Sequence, residues 1–176
     1  KNGEDFGLDK LNYGYQEGEG GIADALSMAE SFVGGDDCVV ILGDNIIADD
    51  ISQPISNFGD VGGCHIFTKE VHDPERFGVL DYGETGWGGI EDIIEKPTNP
   101  PSNDAVIGLY MYDNTVFDKI RNLDPSERGE LEVTDLNRMY LKEGKLTAHQ
   151  IKGTWIDCGT FDSLAKATQK FYHDKN

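Results

Sequence analysis

Four short segments of the chain carry side chains whose types and spacing could do chemistry. The first is Leu42-Gly43-Asp44-Asn45, which follows the apolar run Cys38-Val39-Val40-Ile41-Leu42. A carboxylate at the carboxyl end of a buried strand, next to a glycine that lets a ligand approach, is placed to hold a divalent metal. Satisfying a local turn is the alternative use of such an aspartate. The second is Trp155-Ile156-Asp157-Cys158-Gly159-Thr160, where Asp157 again ends a strand and Thr160 can cap the helix that follows. Two strand-end aspartates from distant parts of the chain can share one Mg²⁺, the hard cation of phosphate chemistry, with carboxylates on the order of 4–6 Å apart. The third is Glu95-Lys96-Pro97: a glutamate can accept from sugar hydroxyls and a lysine can offer charge to a phosphate, or the two can be a surface ion pair.

The fourth segment is Gln16-Glu17-Gly18-Glu19-Gly20-Gly21-Ile22-Ala23. Its Gly18-x-Gly20-x-x-Ala23 spacing matches the dinucleotide fingerprint, and Asp44 follows about twenty residues on, which raises an NAD-dependent oxidoreductase as a rival. Against that rival, Glu17 and Glu19 would flank a bound pyrophosphate, and the preceding stretch is not a buried apolar run.

Periodicity suggests the elements that must position these residues. Ile22, Ala25, Leu26, Ala29 and Val33 recur at helical spacing, and Gly34-Gly35 ends the helix. Cys38–Leu42 reads as a strand buried on both faces, as in a parallel sheet. Leu11–Gln16 is a half-polar strand candidate, and Cys64–Val71 a better one. Phe77–Tyr82 and Ile90–Glu95 flank the turn-rich Gly83–Gly86 as a hairpin. Val106–Tyr112 is a strand, followed by a helix with Val116, Phe117, Ile120 and Leu123 on one face, capped by Asp113 or Asn114. A helix over Thr134–Leu141 turns Leu136, Met139 and Tyr140 inward. Leu146–Ile151 is strand-like, and a last helix from Thr160 buries Leu164, Ala167 and Phe171. Strands alternating with helices predict an α/β layered fold over residues 1–176 as one domain.

Composition narrows the function classes. Fifteen Lys+Arg against 33 Asp+Glu give a net charge of −18, a field that repels nucleic acid and anionic membranes, so neither is an expected partner. Cys38, Cys64 and Cys158 show no CxxC or Cys/His spacing, which argues against a disulfide framework or a zinc site and fits a cytoplasmic location. No apolar run approaches membrane-spanning length.

Taken in order, QEGEGGIADAL, LGDNI, DPERFGV, EKPTNPPSN, GLYMYDN, RGELEVTDLN and WIDCGTFDSL resemble successive segments of the glucose-1-phosphate thymidylyltransferases, over essentially the whole chain. The resemblance implies a nucleotide-diphospho-sugar transferase fold, Rossmann-like with a mixed central sheet. It implies an Mg²⁺-dependent attack by glucose 1-phosphate on the α-phosphorus of dTTP (or UTP), giving dTDP-glucose and pyrophosphate. By the same resemblance Asp44 and Asp157 bind the metal and Gln16 and Gly21 the pyrimidine, with Asp44 also on the nucleotide. Gly78, Glu95, Lys96 and Val106 take the sugar and its phosphate. Asp44, Asp157 and Lys96 are the catalytic set, and Tyr110 and Trp155 either wall the site or pack the core. A homo-oligomer is expected. A non-catalytic nucleotide-sugar binding module is the second reading.

Departures from the family pattern carry their own expectations. Ile94 replaces the first glutamate of a Glu-Glu-Lys-Pro run, Gly88-Gly89 reads as an insertion, and Lys152-Gly153-Thr154 lacks a Gly-Arg-Gly run. Nothing matches the GGxGTR loop that cradles the triphosphate, so the chain reads as N-terminally truncated. On that reading it turns over no substrate alone and exposes an adhesive sheet edge.

Overall fold

A computed structural model describes residues 3–84 and 89–173. Its central element is the strand Asp104–Tyr112, nine residues of nearly unbroken apolar sequence. Alternation along this strand sends Ile107, Leu109 and Met111 to one face and Tyr110 and Tyr112 to the other, and both sets are buried. A strand buried on both faces needs cover on both. In chain order the strands are β1 (Cys38–Ile41), β2 (Asn45–Ala48), β3 (Cys64–Glu70), β4 (Gly78–Asp81), β5 (Asp92–Glu95), β6 (Asp104–Tyr112), β7 (Leu146–Gln150) and β8 (Thr154–Asp157). The helices are α1 (Ile22–Ser27), α2 (Glu30–Val33), α3 (Ser52–Val61), α4 (Val116–Ile120), α5 (Val133–Lys142) and α6 (Phe161–His173).

The main sheet runs β5-β4-β6-β3-β7, with β1 also on β6. Tyr112 pairs with Cys38 on one side and Cys64 on the other, while Ala105 pairs with Val79 and Lys69, so β1 and β4 lie end to end along one edge of β6. Among the described residues only the β3–β7 pair is parallel, which makes the sheet mixed. Helices α1, α4 and α5 bring Leu26, Phe117, Ile120, Leu136 and Tyr140 onto the tyrosine face. On the opposite face Phe58 of α3 packs with Phe67, Ile107, Leu109, Met111 and Ile151. A separate antiparallel pair, β2 with β8, lies beyond the sheet.

Several sequence expectations are corrected. Cys38–Leu42 forms an antiparallel edge strand rather than a buried parallel one, and Val39 and Ile41 are 52% and 59% exposed. The strands buried on both faces are β6 and its neighbour β3, whose Ile66 and Phe67 join opposite cores. Leu11–Gln16 is assigned no strand, and its Tyr13 and Tyr15 side chains are exposed. The first helical segment breaks between Ser27 and Glu30. On α5 the deep positions beside Leu136 and Tyr140 belong to Thr134 and Asn137 instead of Met139: the Tyr112 hydroxyl donates to Asn137 Oδ1 at 2.7 Å and satisfies it. Among the described side chains of α6 only Ala167 is fully buried, and Leu164 is 49% exposed. The β4–β5 hairpin forms as expected, with the Gly88 of the expected insertion outside the described residues.

Two measurable consequences follow from this architecture. His65 Nδ1 on β3 and His149 Nε2 on β7 lie 3.0 Å apart, and His65 Nε2 is buried without a partner. Burial pushes both imidazoles below the ordinary histidine value, and for His65 the second ring adds to it. The unfolded chain therefore holds protons that the folded one refuses, so stability is full above about pH 6.5 and declines as pH falls below it. Thermal melts across that range should show the decline, and His149→Phe should flatten it. The second consequence concerns β1, whose edge away from β6 has no strand among the described residues. Free edges template association. Sedimentation velocity should show concentration-dependent association that the double variant Val39→Lys, Ile41→Lys reduces.

Candidate active site

The β2–β8 ladder sets Asn45 directly opposite Asp157, and the Cys158 N–H donates to the Asp44 carbonyl at 2.7 Å. These two links bring the sequence-distant aspartates side by side. A methyl placed on Gly159 would sit 3.0 Å from Asp157 Oδ1 and 3.4 Å from Asp44 Oδ2, so both carboxylates face one small space that the glycine leaves open. Asp157 Oδ1 accepts from the Gly159 N–H at 2.9 Å, and Asp157 Oδ2 lies 3.4 Å from Arg76 Nη2. Among the described residues no cluster of three or more His, Cys, Asp or Glu side chains suits a metal. Two hard oxygen donors with the remaining positions left to water and phosphate suit Mg²⁺, which dehydrates reluctantly.

Asn45 holds this corner together. Its Oδ1 accepts from the Gly108 N–H at 3.0 Å and from Trp155 Nε1 at 2.7 Å, and its Nδ2 donates to Asp44 Oδ1 at 2.8 Å. A Cβ at Gly108 would come within 2.6 Å of Asn45 Nδ2. Glycine is therefore required at that point of β6.

A cavity of about 270 Å³ opens beside the aspartates. Gly78, Glu95, Lys96 and Val106 all line it together with Asp44 and Asp157, so the expected sugar-side and metal-side residues converge. Gly78 pairs with Glu95 across the β4–β5 hairpin, and a methyl on Gly78 would sit 3.2 Å from Thr134 Oγ1 and 3.4 Å from Glu95 Oε2. Thr134 Oγ1 donates to Glu95 Oε2 at 2.6 Å and fixes that carboxylate. Lys96 adopts φ 44°, alone among the described non-glycine residues in having a positive φ. Such a backbone costs about 1–3 kcal/mol and is retained where surrounding structure enforces it, often at functional sites. Here the Lys96 N–H donates to the Phe77 carbonyl at 2.9 Å. Phe77 meets Trp155 edge-on, with ring centroids 5.5 Å apart. Trp155 is a half-buried wall, whereas Tyr110 is both lining and core.

Gln16 and Gly21 meet in a second hollow of about 380 Å³ that shares Ile22 and Leu42 with the first as common wall. Gln16 Nε2 donates to the Gly21 carbonyl at 3.1 Å and to Asp24 Oδ2 at 2.6 Å. The glycine run is not a dinucleotide turn, because no strand leads into it. Instead it is clamped to Leu131, whose N–H donates to the Gly20 carbonyl and whose carbonyl accepts from Ala23.

Four further polar residues at the site were not assigned from sequence: Asn45, Arg76, Arg128 and Thr134. Arg76 pairs with Asp73 and Asp157 and lines the cavity. Arg128 binds Glu132 at 2.8 Å and approaches Glu95 to 4.0 Å. Each lies inside a segment that carries the resemblance, DPERFGV, RGELEVTD or LGDNI, and that position was the available signal. The loop that lacks a Gly-Arg-Gly run is held otherwise: Lys69 donates to the carbonyls of residues 151–153, and Asp49 accepts from the N–H groups of Lys152 and Gly153.

Comparison with known proteins gives concordant matches. The nucleotidyl transferase family profile matches residues 1–174. The low-salt glycan biosynthesis nucleotidyltransferase Agl11 of Haloferax volcanii is 38% identical over 99% of this chain and 48% of its own length. A glucose-1-phosphate thymidylyltransferase of Neisseria meningitidis is 41% identical over 94% of this chain and 58% of its own. The chain thus spans about half the length of the curated relatives it matches. A Bacillus anthracis protein assigned as a glucose-1-phosphate thymidylyltransferase, solved with a sucrose, superposes with a TM-score of 0.86 at 46% identity, covering 96% of this chain and 67% of that one. A UDP-glucose pyrophosphorylase solved with UDP-glucose gives 0.79 at 29% identity, over 93% and 66%.

The glycines of the site make a direct test of this geometry. Gly21 has φ +89°, and a methyl on it would lie 2.6 Å from the Leu131 carbonyl oxygen; Gly34 has φ +67° with nothing within 4 Å. Gly34→Ala should cost only the left-handed strain, about 1–2 kcal/mol. Gly21→Ala should cost about 2 kcal/mol or more, since a backbone clash adds to the strain. Urea unfolding of the two variants measures the difference.

Proposed function

The chain belongs to the nucleotidyl transferase family, and we propose that it contributes the sugar-1-phosphate half, and part of the nucleotide half, of a glucose-1-phosphate thymidylyltransferase. The observation that carries this reading is the convergence of Asp44 and Asp157 on one space, in the cavity that Gly78, Glu95, Lys96 and Val106 also line.

In the proposed reaction a phosphate oxygen of glucose 1-phosphate forms a bond to the α-phosphorus of dTTP. The bond from that phosphorus to the bridging oxygen breaks, and pyrophosphate leaves with the electron pair. No covalent enzyme intermediate is needed, so the residues must bring two anions together and balance their charge. Lys96, beside Glu95 at 3.7 Å, is placed to reach the sugar phosphate. Glu95, fixed by Thr134, offers acceptors to sugar hydroxyls. Gln16 and Gly21 present the amide and open backbone against which a pyrimidine would lie. Asp44 and Asp157 would hold Mg²⁺, whose charge neutralisation at phosphate oxygens the carboxylates make available. The apolar wall of Val106, Tyr110 and Trp155 would strengthen the contacts made by Asp44, Asp157, Glu95 and Lys96 in the same cavity.

The assay is pyrophosphate release from dTTP and glucose 1-phosphate with Mg²⁺. It is run on this chain and on a chimera extended at its N-terminus by the glycine-rich segment of a curated relative. The chimera should turn over and this chain alone should not. Lys96→Ala in the chimera should cost on the order of 10²-fold or more in rate. One methyl group separates the bases of dTTP and UTP, worth about 10–200-fold, so dTTP is preferred without UTP being excluded. Tightest binding of ATP would overturn the pyrimidine assignment, and a rate indifferent to Lys96 would overturn the sugar-phosphate assignment.

A further inference from the structure

We propose that Asn45 is the positioning residue of the carboxylate pair: its carboxamide dictates which oxygen Asp44 offers to a divalent cation. The inference rests on the metal reading above and adds a residue to it. The orientation of the amide is decided by chemistry. Gly108 N–H and Trp155 Nε1–H are obligate donors, and both point at one atom of the Asn45 carboxamide, at 3.0 and 2.7 Å. That atom must be the oxygen, because an NH₂ there would leave three sets of protons facing one another. With the oxygen committed to β6 and β8, the NH₂ can only project towards Asp44, and it donates to Asp44 Oδ1 at 2.8 Å. Asp44 Oδ2 is then the oxygen left facing Asp157 across the space at Gly159.

The surrounding structure is built to keep the amide in that pose. Asn45 begins β2 opposite Asp157, so its backbone is held by the same ladder that carries the second carboxylate. Gly108 has no side chain where one would strike Asn45 Nδ2 at 2.6 Å and Leu42 at 2.8 Å. The ring of Trp155, the second donor, rests edge-on against Phe77, next to the Gly78 of the sugar wall. Asn45 thus joins three strands at the wall of the cavity.

A residue that merely staples β6 to β8 would affect stability and leave cation affinity alone, which is the discriminating readout. Mn²⁺ alone serves as the probe, titrated into the purified protein and followed by the electron paramagnetic resonance of the free ion. Outer-shell partners of metal ligands typically contribute 10–100-fold to affinity. Asn45→Ala should weaken Mn²⁺ binding by roughly tenfold or more. Trp155→Phe keeps the ring contact with Phe77 and removes one of the two locking donors, so it should give a smaller loss in the same direction. An Asn45→Ala variant that retains the wild-type circular dichroism and binds Mn²⁺ within about twofold of wild type would overturn the proposal. If that variant does not fold, unchanged Mn²⁺ affinity in Trp155→Phe overturns it instead. Wild-type protein that binds no Mn²⁺ would overturn the metal reading itself, a different result from equal binding by wild type and variant.

Discussion

A strand that buries both of its faces constrains everything around it, and here the longest such strand is β6. Ile107, Leu109 and Met111 must be covered on one side and Tyr110 and Tyr112 on the other, which calls α3 to the first face and α1, α4 and α5 to the second. Burying side chains of this size is worth about 1.5–3 kcal/mol each. The layering is therefore paid for locally by β6 and its immediate neighbours. The same strand floors the cavity with Val106, Gly108 and Tyr110. Gly108, buried within the strand, carries no side chain, and that lets the Asn45 amide reach the backbone of β6.

The neighbours of β6 explain how residues far apart in sequence come together. β1 and β4 divide one edge of β6 between them, and what each leads to differs. The chain leaving β1 turns at Leu42–Asp44 into β2, which carries Asp44 to the end of the β2–β8 pair. Leu42 N–H donates to the Gly108 carbonyl at 2.9 Å and prolongs the β1–β6 ladder by one bond before that turn. The chain entering β4 brings Phe77 and Gly78, and its partner β5 ends in Glu95 and the strained Lys96. The two ends meet over Val106–Tyr110. Convergence of the aspartates with Gly78, Glu95 and Lys96 is thus a consequence of sharing one strand edge.

Much of this was legible in the sequence because the residues that carry chemistry sit at element ends, where periodicity stops and glycine appears. Asp44 follows Gly43 and Asp157 precedes Gly159, and both are identifiable from residue type and position, whereas Gly21, which opens α1, is singled out only by the family resemblance. The β4–β5 hairpin, β3, β6, α5 and β7 were legible for the same reason, as apolar runs bounded by turn residues. What was not legible is pairing. Cys38–Leu42 and Val106–Tyr112 are both short β-branched or apolar runs, and nothing local says that the first lies at an edge and the second at the centre. Likewise Ala25, Leu164 and Phe171 have helical spacing, but spacing cannot say whether a neighbour arrives to cover the stripe, and Leu164 has none sufficient to bury it. Asn45 and Thr134 are not legible in the sequence because the hydrogen bonds that fix their side chains, to Gly108, Trp155 and Glu95, are long-range.

The charge of the chain poses the remaining problem, since on the proposed function a protein at −18 would have to admit substrates that are themselves anions. At physiological ionic strength the Debye length is about 8 Å, so exposed carboxylates beyond that distance are largely screened from the cavity. What matters is the balance within it. Asp44, Glu95 and Asp157 face Arg76 and Lys96 among the lining residues, one more negative group than positive. Arg76 is already engaged by Asp73 and Asp157, and Lys96 stands beside Glu95, so neither cation is idle in the unliganded chain. A divalent cation between the aspartates would reverse the sign of the balance. It would also compete with Arg76 for Asp157 and so release a guanidinium whose planar fork suits a phosphate. On the proposed reading, then, an acidic protein can bind anionic substrates because its attraction for them is created locally, and only when the carboxylate pair is filled.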